Sequence, residues 1–500
     1  MDSKGHQLDV VFIPYMAPGH MMPMVEISRL FSSHGVKATI ITTSINASRF
    51  KNIIDGDVKL GRPISILTIS LPLMEVGLPE GCQNLASAPD PETTIKLFHA
   101  IEMVQPQIEN LLTDLKPDCI VSDVLHPWTA YIALQLSIPR LAFSGSCFFS
   151  DCVSYCIQQY APHKEIQLEN EEFIVPNLPD QVVLTRSQLP DLVKGKTDFD
   201  ELFERLREAE KRSYGVLINS FYELEPAYAD YSRLQMGKRS WHIGPLSLFN
   251  REMDDKAERG DKSSIHTHTC LSWLDSKEPN SVLYICFGSL TRFTKRQLTE
   301  IATSLKESAN PFIWVVGKVL KSSEDESREE DREEEWWLPR GFEEQMKGSG
   351  QGLIIRGWAP QVLILEHPAI GGFMTHCGWN SILEGVSAGV PLITWPIFAE
   401  QFYNEKIVTQ VLKLGVGVGN KVWKVWATEE SPLIEKERIK KAISTVMDDG
   451  EEMRKKAKKL SELAKKAVEE GGSSHKDMKA LIEELRLYRE KSIVQYNTQK

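Results

Sequence analysis

The feature that most constrains this chain is an alternation of short apolar strands with amphipathic helices, run through twice with a polar break between. Residues 8–15 (LDVVFIPY) read as a strand, 21–33 as a helix closed by His34 and Gly35, and 36–42 (VKATIIT) as the next strand. A strand–helix–strand unit of this length makes its two strands parallel, with a right-handed crossover. The pattern returns as 117–123 (PDCIVSD), a helix from Trp128 to Leu136, and 138–144 (IPRLAFS). After a polar stretch at 247–269 it restarts with a strand at 281–289, a helix at 295–308 and a strand at 311–317. Five hundred residues exceed what one core organises, so two doubly wound α/β domains are expected. Their bounds read as 1–246 for the first, 247–269 for a linker, 270–475 for the second, and 476–500 for a helical tail returning to the first. Ligands of such sheets bind beyond the carboxyl ends of the strands, so two Rossmann-like domains would face one cleft.

Composition narrows the functions. With 58 basic and 69 acidic residues the net charge is −11, and no basic footprint suits nucleic acid. No apolar run is long enough to span a bilayer, and Pro14 and Pro18 interrupt the first one before any secretory cleavage pattern. The eight cysteines make no CxxC pair and no zinc spacing, which suits free thiols in the cytoplasm. A monomer is expected. The acidic run at 322–335 reads as a solvated loop, and the Lys/Glu-rich stretch 451–490 as outer helices.

The most informative segment is 358–401, WAPQVLILEHPAIGGFMTHCGWNSILEGVSAGVPLITWPIFAEQ. It reads as strand, turn, helix, strand. Asn380 and Ser381 open the helix, whose N–H groups and positive dipole end suit a phosphate. His376 at the strand end adds a donor, and Glu384, a turn into the helix, can take ribose hydroxyls. Trp358 offers a flat face to a base, and Glu400 and Gln401 offer polar groups to sugar hydroxyls. Each has a plainer alternative: the tryptophans as core aromatics, Glu384 as a solvated helix residue.

This 44-residue segment resembles the signature box of plant UDP-dependent glycosyltransferases that modify small secondary metabolites, with HCGWNS, Glu384 and the closing Gln401 in register. The likeness extends over essentially the whole chain. It implies the two-domain GT-B fold and a UDP-sugar co-substrate, with no cofactor and no metal. It also implies roles: Trp358 stacked on uracil with Ala359 and Gln361 beside it, and Glu384 on ribose. His376, Asn380, Ser381 and Ser289 would hold the diphosphate, and Trp379, Glu400 and Gln401 the sugar. Many members have Asp where this chain has Glu400, and some have a hydroxyl where it has Pro18.

Transfer from such a donor needs a base for the acceptor proton. His20, read in the loop after the first strand, and Asp123, at the end of PDCIVSD, both lie at carboxyl ends of parallel strands. A near-neutral imidazole with a carboxylate behind it suits that task. Both positions match the family's His–Asp dyad, within SDVLHPW at 122–128. Other strings read as chance: the DxD strings at 55–57 and 198–200 as solvated, the GxSxG around Ser387 as helix interior, the sequon at Asn46 as inert.

The expected activity is inverting, metal-independent transfer of a sugar, glucose first, to a hydroxyl or carboxyl of a small apolar molecule. Segments 77–84 and 426–443 resemble members acting on triterpenoids, steroids and flavonoids, and a triterpenoid sapogenin or its glycoside is the favoured acceptor. Met16, Met21, Met74, Phe148 and Phe149 would contact it, or are simply core. The alternatives are a flavonoid or phenolic glucosyltransferase, and a glucuronosyltransferase for which Arg29 would supply the cation; otherwise Arg29 is a solvated helix residue. A nucleotide-cofactor oxidoreductase is disfavoured by the single glycine of YMAPGHMMP. A binding protein without catalysis would need neither His20 nor Asp123.

Overall fold

The computed structural model describes residues 7–195, 200–249, 256–257, 259, 263–317, 338–425 and 431–498. The acidic run 322–335, Asp198 and Phe199 of the second DxD string, and residues 426–430 lie outside them.

The chain forms two compact units, one of Met1–Phe148, Asp198–Asp255 and Lys465–Lys500, the other of Phe149–Thr197 and Lys256–Ala464. Five strands open the first unit: β1 (Asp9–Ile13), β2 (Lys37–Thr43), β3 (Ile64–Ile69), β4 (Cys119–Asp123) and β5 (Arg140–Ser144). Strands β6 (Glu172–Val175) and β7 (Val182–Thr185) pair as an antiparallel hairpin in the second unit. Strands β8 (Gly215–Ile218) and β9 (Ser240–His242) complete the first sheet, in the order β3-β2-β1-β4-β5-β8-β9. Every pairing in that sheet is parallel. The chain runs outward from β1 to β3 and then returns to lay β4 against β1, so the order reverses between β1 and β4. At such a reversal the connecting loops part and leave a crevice beyond the strand ends.

The second unit repeats this plan with β10 (Val282–Cys286), β11 (Phe312–Val316), β12 (Gly352–Arg356), β13 (Ile370–Thr375), β14 (Leu392–Thr394) and β15 (Gly415–Gly417). The order β12-β11-β10-β13-β14-β15 is again wholly parallel, with its reversal between β10 and β13. Both sheets are covered by helices, so their strands read as near-continuous apolar runs, such as VLYIC and FIWVV, instead of alternating.

The helix Ser473–Thr498 is amphipathic at helical spacing: Met478, Leu481, Ile482 and Leu485 enter the core of the first unit. Polar anchors set its start. Ser474 Oγ donates to the Gly244 carbonyl, and Asp477 Oδ2 accepts from His242 N at 2.9 Å.

Two local readings change. The first helix runs Pro18–Ser33, three residues earlier than the sequence pattern indicates, because Pro18 occupies the first helical position where its missing N–H costs nothing. His20 therefore stands in the first turn of that helix and not in a loop. Strand β10 ends at Cys286, so Phe287, Gly288 and Ser289 belong to the turn beyond it.

Candidate functional site

In the first unit the strand-order reversal brings two predicted residues together. Asp123 closes β4, is fully buried, and its Oδ2 lies 2.8 Å from His20 Nδ1. Its Oδ1 accepts from Leu125 N at 2.9 Å, and Arg140 Nη2 donates to its backbone carbonyl at 3.1 Å. Burial alone would raise the Asp123 pKa, but the adjacent His20, by charge and hydrogen bond, holds it below the usual carboxylate value. An ionised carboxylate only accepts, so Nδ1 carries the proton of this pair and Nε2 is the basic nitrogen. The His20 side chain is 30% exposed, enough to meet a substrate. Tyr15 meets its ring edge-on, and a Cβ on Gly145 would lie 3.6 Å from its Cε1, so the ring is held on two sides.

Sequence reasoning missed His126. It is buried beside this pair, hydrogen-bonds the Pro14 carbonyl through Nε2 at 3.2 Å, and burial pushes its pKa down to about 4. The HPW triplet at 126–128 carries nothing that distinguishes a buried neutral histidine.

In the second unit, β13 delivers His376 to the reversal point. Its ring is packed between two glycines: a Cβ on Gly288 or Gly378 would lie 2.6 Å or 2.5 Å from Nε2. The enclosure pushes the His376 pKa down to about 4. Cys377, at φ +66, turns the chain into the helix Trp379–Ala388, whose N-cap Gly378 supplies no side-chain cap. The N–H groups of Trp379, Asn380 and Ser381 precede the first helical bond, Ile382 N to Gly378 O, so the helix offers them no carbonyl. Ser289, in the exposed turn after β10, stands at the same reversal, across β10–β13.

The nucleoside-type residues form one hydrogen-bonded group. Gln361 Nε2 donates to Glu384 Oε2 at 2.6 Å and to Ser381 Oγ at 3.3 Å, while its Oε1 accepts from Tyr284 OH at 3.1 Å. Arg259, not anticipated from sequence, donates Nη1 to Glu384 Oε1, so Glu384 is buried and paired and not a solvated helix residue. Trp358 Nε1 donates to the Arg259 carbonyl at 3.2 Å, and Ala359 is buried beside it.

Three predicted contacts look different in the structure. The Trp379 side chain is 2% exposed, a core aromatic, so what it presents at the helix start is its backbone. Gln401 Oε1 already accepts from Ile397 N at 2.9 Å and Phe398 N at 3.1 Å, which uses both lone pairs and leaves Gln401 a donor through Nε2. Arg29 is neither solvated nor available as a cation: it is buried against Asp57, with Nε to Oδ2 at 2.5 Å, and Arg62 binds the same carboxylate. Asp57 is thus an interior ion-pair residue, and Asp55 pairs with Lys51 one helical turn away. Of the five apolar residues read as an acceptor surface, Met16, Met21, Phe148 and Phe149 are buried, while Met74 is 84% exposed. Asn46 is fully buried, and Ser387 lies inside the helix Trp379–Ala388. Among the described residues no group of three or more His, Cys, Asp or Glu is placed to hold a metal, and no helix is long and apolar enough to cross a membrane.

Two wholly parallel Rossmann-type sheets, each with polar groups at its strand-order reversal, are the architecture of GT-B proteins, and solved UDP-glycosyltransferase structures match the chain over nearly its whole length. The profile of the UDP-glucoronosyl and UDP-glucosyl transferase family matches residues 102–467, and the chain belongs to that family of enzymes. It is 50% identical to UDP-glucosyl transferase 73CC6 of Saponaria officinalis over 97% of this chain and 98% of that one. It is 47% identical to the scopoletin glucosyltransferase of Nicotiana tabacum over 96% and 98%. Among solved structures it resembles Glycyrrhiza uralensis UGT73P12, complexed with glycyrrhetinic acid 3-O-monoglucuronide, with a TM-score of 0.90 at 40% identity over 99% of both chains.

Proposed function

We propose that this enzyme transfers glucose from UDP-glucose, with inversion and without a metal, to a hydroxyl or carboxyl of a small apolar plant metabolite, a triterpenoid sapogenin or its glycoside first. The observation that carries the catalytic part is the 2.8 Å contact of His20 with a buried, ionised Asp123. His20 Nε2 takes the acceptor proton as the acceptor oxygen attacks the anomeric carbon, and Asp123 stabilises the imidazolium. The bond to UDP breaks as the new one forms, and the leaving diphosphate is met by the N–H groups of Asn380 and Ser381, with His376 and Ser289 beside them. Trp358, Ala359, Gln361 and Glu384 receive uridine; Trp379 through its backbone, Glu400 and Gln401 receive the sugar.

A single displacement inverts the α-linked donor to a β-glycoside. Engagement of Arg29 by Asp57 removes the cation a glucuronic acid donor would use there, which favours glucose. The acceptor assignment leans on the likeness to UGT73P12 with its triterpenoid glucuronide. A phenolic acceptor is the second reading, favoured by the likeness to the scopoletin enzyme. Work in the cytosol, with all eight thiols free, completes the reading. The test is a matrix of UDP-sugars against triterpenoid, flavonoid and coumarin acceptors with mass-spectrometric and NMR identification of products. An α-linked product, or no transfer from any UDP-sugar, would overturn it.

A further inference from the structure

Asn404 lies on the helix Gln401–Lys406, one turn after Glu400, and its side chain is wholly buried. Its amide nitrogen donates to the Cys377 carbonyl at 2.9 Å and to Glu400 Oε1 at 3.2 Å. Its oxygen accepts from Ser150 Oγ at 2.6 Å. One buried amide thus joins the turn that starts the helix Trp379–Ala388, the carboxylate at the start of the next helix, and the helix Phe148–Tyr160. The amide can point only one way. Flipped, its oxygen would face a carbonyl and a carboxylate, and its nitrogen the Ser150 hydroxyl.

We propose that Asn404 is the positioning residue that fixes the Glu400 carboxylate relative to the Cys377 turn, and that it thereby sets how the enzyme recognises the sugar of its donor. This rests on the reading of Glu400 as a sugar contact. The geometry explains why the residue must be an amide. Aspartate has the same shape but, when ionised, donates nothing and repels Glu400. Leucine fills the space but takes the amide donor away from the Cys377 carbonyl and from Glu400. It also separates two parts of the ligand: Asn404 bonds Cys377, Glu400 and Ser150, whereas Gln361 and Glu384 are held by Tyr284 and Arg259, so the nucleoside should sense its loss less than the sugar.

The experiment is calorimetric titration of UDP and of UDP-glucose into the wild type, Asn404→Asp, Ser150→Ala and Glu400→Ala, with KM and kcat for each. Asn404→Asp should weaken UDP-glucose about tenfold to a hundredfold, the worth of hydrogen bonds to a charged group, while UDP, which senses only the Cys377 turn, weakens by a clearly smaller factor, about fivefold or less. It should also erode discrimination between UDP-glucose and UDP-galactose. Ser150→Ala, which removes the hydroxyl that holds the amide oxygen, should move the same ratio in the same direction by about twofold to fivefold, and it decides the matter if Asn404→Asp does not fold. Equal losses for UDP and UDP-glucose would show a purely structural residue and overturn the proposal, as would an unchanged ratio. If Glu400→Ala itself leaves UDP-glucose binding intact, the reading of Glu400 has failed; if Glu400→Ala weakens it and the other variants do not, only Asn404 has.

Discussion

Asp57 sits on the helix Ser44–Lys59 with Arg29 Nε at 2.5 Å and Arg62 on its other oxygen, so one buried carboxylate is shared by two guanidinium groups. From sequence, Arg29 read as a surface residue or a sugar selector, and Asp57 as half of a solvated DxD string. Neither reading could find the other, because the partners are 28 residues apart and on different helices. Arg29→Ala should therefore cost about 3 kcal/mol of stability or more, the usual result of breaking a buried pair, while the ratio of UDP-glucose to UDP-glucuronic acid turnover stays at the wild-type value. Denaturant melts and donor competition check both halves; a changed ratio at unchanged stability would return Arg29 to the donor site. For the same reason activity should survive EDTA, since Asp57 already has cationic partners. His20 and Asp123 stood out because both positions match the family's His–Asp dyad; a place after a predicted strand alone favours a structural histidine. His20→Ala should keep UDP affinity within about twofold and lose at least about a hundredfold in kcat on a hydroxyl acceptor, the scale of general-base catalysis. Near-normal turnover in a product assay would remove His20 from that role.

At the scale of elements, the segment from β13 into the helix Trp379–Ala388 was readable as strand, turn and helix because its apolar run, its glycines and its helix-opening residues are all local. Its depth was not. Burial of Trp379 and the pairing of Glu384 with Arg259 depend on packing from distant segments. Asn404 was missed although its spacing from Glu400 places the two on one helical face. The turn after β10 is where element geometry and ligand binding meet. Gly288 has φ +75, and its missing Cβ is the space His376 occupies. Gly288→Ala should shift His376 and weaken UDP about tenfold or more, as the loss of a preorganised donor does. Gly35→Ala is the control. It has φ +79 with nothing within 4 Å, so it carries the same backbone strain, about 1 kcal/mol, with no effect on UDP. Calorimetry on the two variants separates strain from steric displacement; equal UDP affinities would show that His376 does not hold the diphosphate.

At the scale of the whole molecule, the two units share an electrostatic design that no local pattern announces: each holds a histidine at its strand-order reversal in a place that disfavours the charged form. His126 in the first and His376 in the second are both pushed by burial from 6.5 down to about 4. His163 and His242 are lowered in the same direction, chiefly by burial. A depressed histidine pKa means that the unfolded chain binds the proton more readily than the folded one. Stability is then fully present above about pH 6.5 and is lost as pH falls towards the folded value. Asp123 has the opposite charge but the same sign of effect, since its lowered pKa gives stability above the usual carboxylate value and loses it only below, in a separate and more acidic window. These histidines should accordingly cost the enzyme stability between about pH 6.5 and 4, above the window in which Asp123 titrates. His126→Phe tests this, because a phenyl ring fills a similar space but takes no proton. The variant forfeits the bond to Pro14 and should be less stable at pH 7.5. Its further loss on going to pH 4.5 should nevertheless be smaller than that of the wild type by on the order of 2 kcal/mol, the linkage of one histidine shifted from 6.5 to about 4. Denaturant melts at the two pH values measure that difference. Equal losses in the two proteins would mean that His126 takes up its proton as readily in the folded state as in the unfolded chain.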